Sequence, residues 1–234
     1  MLNQDSELKF GDAVLQYRKR INRSYELYLF NLMLLEQVAA FAERDAARRK
    51  KKLLPDEKDQ AFTPKLATNP VTRSFRDNEK LQQRYKSLEF FDKVDQDSIR
   101  KLYTEFLKED SYQHYLGNTG TDIKEDRGVF LALYKFCLSG ELFEGILQDH
   151  YVNWVDDQSL VIGAVKKTIK ALPSPFDAFY EDHLPTEETT REFGEELLRK
   201  VYHNDGELLH LIEPVLKNWD VDRVAIIDMI LLKM

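Results

Sequence analysis

The chain has 234 residues, a net charge of −7, 43% hydrophobic and 32% charged residues, which exclude a disordered polymer and a protein that coats nucleic acid over its whole surface. A single cysteine, Cys137, excludes an intrachain disulfide and a cysteine metal cluster, and no run of about 18 apolar residues offers a membrane span. Nine Gly and seven Pro favour long helices over a many-turned sheet, and a charged start without a signal peptide sets the expected location as a reducing cytoplasm.

The first strong pattern predicts a long helix over residues 12–47. Val14, Tyr17, Ile21, Tyr25, Tyr28, Leu32, Leu35, Ala39 and Ala42 recur at spacings of three and four, and Leu27, Phe30, Leu34, Val38 and Phe41 form a second stripe beside them. Two apolar faces place this helix between neighbours, not on a surface. Its end carries Arg44, Arg48, Arg49, Lys50, Lys51 and Lys52, where cations complement the helix dipole. Such a tip suits phosphate, although a solvated helix end has the same composition. Residues 53–76, with Pro55, Pro64 and Pro70 and little periodicity, read as a long irregular connection.

Helical patterns resume over residues 78–91 and 97–108, and Gly117-Asn118-Thr119-Gly120 breaks the chain. Further helices are predicted over residues 122–138, 141–150 and 156–172, the last with Asp156 as its N-cap. Cys137 lies in the apolar run Val129 to Leu138 and reads as a small core residue. After Pro173 and Pro175, the stretch from Thr186 has acids in its first turn and basic residues in its last, and residues 205–217 and 221–234 complete the pattern. No strand alternation occurs, so the expected fold is an all-α helical bundle. Its segments are a long helix with a basic end (1–52), the loop (53–76), a central helical region (77–175) and the final helices (186–234). Residues 181–222 carry twelve acidic side chains against Arg191, Arg199, Lys200 and Lys217, so the two charged regions suit two different partners.

No Gly-rich phosphate loop, nucleophile elbow or repeated Cys/His spacing is present, which disfavours an enzyme. Glu207 and His210 match one half of a di-iron spacing, but a single copy reads as surface residues one turn apart. In the final segment Asp220 suits an N-cap, and only Asp222, Arg223, Asp228 and Lys233 are polar after it. Asp228 falls on an apolar flank, where a lone carboxylate needs a basic partner inside the protein or on another chain.

Leu211-Ile212-Glu213-Pro214-Val215-Leu216-Lys217-Asn218-Trp219, then Asp220-Val221-Asp222-Arg223-Val224, then Asp228 and Ile230-Leu231-Leu232-Lys233-Met234, resemble the central signature of the NusB family of transcription antitermination factors. Phe193, Leu197, Leu198 and Val201 fit the preceding family helix, whereas Ile226 and Met229 stand where Pro and Arg are commoner. Upstream, the Tyr25-Glu26-Leu27-Tyr28 helix, the basic tip and the Asn-Pro loop resemble an enlarged form of the family with extra helices before the signature. The resemblance implies a non-enzymatic, cofactor-free protein that binds boxA-type RNA together with the ribosomal protein NusE in the transcription elongation complex, with a link to rRNA transcription. It places Asp222 and Asp228 against NusE and Lys233 near the RNA; Arg48, Arg49 and Lys50 are the further RNA candidates. An Arg-rich helix expected before residue 1 and a block expected after Met234 are absent, so the chain is expected to be an interior piece of a longer protein. A helical adaptor without nucleic acid and a metal enzyme using Glu207 and His210 are the competing readings.

Overall fold

The computed structural model describes residues 9–118, 120, 122–216 and 223–234. It is all-α, and among the described residues there is no strand and no helix long and apolar enough to cross a membrane. The helices are α1 (Phe10–Lys50), α2 (Glu57–Ala61), α3 (Lys65–Thr68), α4 (Pro70–Arg76), α5 (Glu79–Ser87), α6 (Gln96–Phe106) and α7 (Asp110–Gly117). They continue with α8 (Ile123–Leu138), α9 (Glu141–His150), α10 (Trp154–Ala171), α11 (Glu196–His203), α12 (Asp205–Ile212) and α13 (Ile226–Lys233). Contacts divide the chain into two units, one of Ser24–Leu184 and one that combines the chain before Ser24 with Pro185–Met234.

In the Ser24–Leu184 unit, α1 is the central element. Residues 27–36 are all buried, as two adjoining apolar stripes require. Aromatic side chains close over it: Phe30 meets Phe90 at 5.2 Å and Tyr151 at 5.3 Å between ring centroids, and Phe41 meets Tyr103 at 5.3 Å. Several polar groups caught in this core are matched, although the Tyr85 hydroxyl is buried without a hydrogen-bond partner among the described residues. Asn31 donates to Leu27 O at 2.9 Å and accepts from Tyr134 of α8 at 3.2 Å, and Tyr28 bonds Thr168 of α10 at 2.7 Å. Such pairing is what makes buried polar atoms tolerable. Cys137 is wholly buried and burial pushes its thiol pKa up, so it packs as a hydrophobe.

Residues 53–76 are not the irregular connection the prolines suggested, because they hold α2, α3 and α4. Asp56 and Asp59 form a reciprocal capping box at the start of α2. Asn69 caps α4 by accepting from Thr72 N at 2.8 Å, and Pro70 fills the first helical position, where a missing N–H costs nothing. Lys65 donates to Tyr115 O, Asn118 O and Gly120 O at 3.0–3.1 Å, which satisfies carbonyls at the end of α7, a helix the sequence patterns did not predict. The start of α10 also differs. It begins at Trp154, so Asp156 sits inside its first turn, and the residue before the helix is Asn153.

The second unit brings the start of α1 against residues 188–203. Arg18 donates two bonds to Glu195, at 2.6 and 2.9 Å, and this holds the Glu195 carboxyl below the usual range. Phe10 packs on Tyr202 at 5.4 Å and His203 at 5.3 Å. The helix expected from Thr186 instead runs as a widened π-helix over Glu188–Glu195 before tightening into α11. Gly194 lies in that widened stretch: a Cβ there would come within 1.7 Å of the Tyr17 hydroxyl. The last helix begins at Ile226, later than the expected residue 221, and Asp220 with its expected capping role lies outside the described residues.

Candidate nucleic-acid interface

Two surfaces carry the sequence-predicted residues, one in each unit. The first is the end of α1. Arg48 and Arg49 lie one turn beyond Asp45 and donate to its two oxygens at 2.6 and 2.8 Å. Asp45 is 1% exposed and also faces the Tyr103 hydroxyl at 3.5 Å, so the two guanidinium groups compensate a buried carboxylate. Asp59 on α2 accepts from Lys52 at 2.7 and 2.8 Å and meets Arg49 at 3.5 Å. The Lys52 bond is the chief reason its carboxyl titrates below the ordinary value. Arg49 also lies over the Phe62 ring at 4.3 Å.

The predicted basic tip is thus partly a structural device. Arg49 and Lys52 fasten α2 to α1, while Lys50 and Lys51 are exposed at the end of the helix. Arg48 keeps most of its side chain in water while bonding Asp45, so it retains donors for a phosphate. Leu53 and Leu54 follow and are almost wholly solvent-exposed. Asp45 and Asp59 were absent from the sequence-level candidates. The signals were present in the three- and four-residue spacing of Asp45 to the arginines and in the Asp56-x-x-Asp59 box.

The second surface is formed by α12 and α13. Asp228 lies in the first turn of α13, where its charge complements the dipole, and it is exposed to water. Ile227 and Leu231 beside it are 71% and 63% exposed, and Leu211, Val215, Ile226, Leu232 and Met234 are also open. Lys233 donates to Asp205 at 2.7 Å and its side chain is only 13% exposed, so it ties α13 to the start of α12. Asp222 lies outside the described residues. Glu207 and His210 are exposed on α12, and among the described residues no group of three His, Cys, Asp or Glu is arranged to hold a metal ion.

The structure therefore gathers Arg48, Arg49 and Lys50 at one helix end and places Asp228 and Lys233 on a single short helix. Comparison with family models, with curated proteins and with solved structures returned no match.

Proposed function

We propose that this chain is a NusB-like transcription antitermination factor that binds boxA-type RNA together with NusE and does so without catalysis. The observation that carries the reading is the solvent-open Asp228 carboxylate between exposed Ile227 and Leu231, on the helix built from the signature residues. A charged centre flanked by uncovered apolar side chains is the composition of a docking surface for a partner with a basic face. NusE supplies that partner, and Arg48, Lys50 and Lys51 supply cations for the RNA.

The test is calorimetric titration of NusE into the chain. Reversing Asp222→Lys together with Asp228→Lys lowers affinity by about ten-fold or more, since like charges are brought together. Unchanged binding would remove both residues from the interface. A second reading, a helical adaptor without nucleic acid, draws support from the internal pairing of Arg49 and Lys52. Salt-sensitive binding of boxA-type RNA favours the first reading, and its absence favours the second.

A further inference from the structure

Within the Ser24–Leu184 unit, a groove of about 450 Å³ runs beside α5. Lys80, Gln83, Arg84 and Ser87 line it at positions i, i+3, i+4 and i+7, so one polar stripe of the helix forms a wall. Glu181, Leu184, Tyr25 and Tyr180 complete the lining. Both tyrosines are more than nine-tenths buried, and Tyr25 donates its hydroxyl to Tyr180 O at 3.1 Å. Unlike Arg48, Arg49 and Lys52 at the end of α1, Lys80 and Arg84 have no acidic partner among the described residues. Two unpaired cations one turn apart, a serine and an amide present donors on one wall. Glu181 and Leu184, the latter 45% exposed, add an acceptor and an apolar edge to the lining.

We propose that this groove binds a nucleotide unit: the phosphate on Lys80 and Arg84, a ribose hydroxyl donating to Glu181, and the base edge against Leu184. The volume lies within the range of small-molecule sites. Two cations against one carboxylate leave the groove net positive, which suits an anionic ligand that also carries a hydroxyl donor. The nucleotide comes either from a single-stranded RNA or as a free mononucleotide. The proposal rests on the RNA-binding half of the reading above and assigns that binding a site away from the α1 tip.

The full chain is titrated in separate arms with a short fluorescent single-stranded RNA and with adenosine monophosphate, beside a Lys80→Gln/Arg84→Gln variant. Both positions are exposed, and an unchanged circular dichroism spectrum confirms that the variant folds. Expected is a loss of RNA affinity of about ten-fold, with the slope of log affinity against log salt reduced by roughly 0.7 for the one lost phosphate contact. Mononucleotide binding that is lost in the variant supports the groove with a free nucleotide as its occupant. RNA and mononucleotide affinities within about two-fold of the parent overturn the proposal, as does failure of the parent chain to bind either ligand. NusE titration of the same samples separates the two ideas: retained NusE binding with RNA affinity untouched by the variant sinks the groove alone.

Discussion

Glu36 is a carboxylic acid held inside the core. It lies on α1 between Leu35 and the fully buried Val38, is 2% exposed, and accepts one bond from Gln82 at 2.8 Å. Burial pushes its pKa up to about 7, and the Gln82 bond and the nearby Arg76 charge only partly offset that. The folded chain therefore holds a proton more tightly than the unfolded one, and stability falls as pH rises from the ordinary carboxyl range towards 7. Glu36→Gln keeps the shape and the bond to Gln82 and removes the titration. Urea unfolding near pH 8 is expected to show the variant more stable by up to about 3 kcal/mol, with the gain vanishing below about pH 4.5. A gain of equal size at both pH values would mean that packing, not charge, is responsible. Sequence alone passes over this residue, because a glutamate inside a two-striped helix reads as one more polar position until the neighbours that cover it are known.

At the scale of elements, the short helices show where local signals were present but outvoted. Pro55, Pro64 and Pro70 were read as breaks, yet proline also starts helices, and Pro70 does so with Asn69 before it. Asn69 caps α4 and also donates to the Tyr115 hydroxyl at 3.3 Å, which in turn donates to Asp126 at 2.5 Å. Asn69→Ala removes the cap and leaves the Tyr115 hydroxyl without its Asn69 bond. A loss of about 1–2 kcal/mol is expected in chemical denaturation, whereas Asn69→Ser, which retains the cap, recovers most of it. The long elements α1, α8, α9 and α10 were legible from periodicity because their buried faces repeat over several turns. Four short ones were not: α2, α3, α4 and α7 have five, four, seven and eight residues, too few for a period to stand out, and the packing of α4 and α7 rests on a few anchors such as Phe75, Tyr112 and Tyr115.

For the whole molecule, burial is spread unevenly between the two units. The central stretch of α1 is covered on every side, α12 has no buried residue, and α13 has only Met229. Hydrogen exchange followed by mass spectrometry should therefore find amides of residues 27–39 slower than those of α12 and α13 by at least about a hundred-fold, since sparsely packed helices open locally. Addition of NusE is expected to slow α13 if that helix is its docking surface, and equal rates throughout would contradict the uneven packing. Several things were determined by the sequence itself: the helical class, the two-faced first helix, the core position of Cys137 and the clustering of cations near residue 48. Each depends on neighbours along the chain or on composition, which periodicity and propensity report. Tertiary structure alone decided which charges are committed. Arg49 and Lys52 are bound to Asp45 and Asp59, Lys233 is bound to Asp205, and Lys80 with Arg84 face an open groove. Charge pairing between elements depends on distances of a few ångströms, and those exist only once the helices have packed.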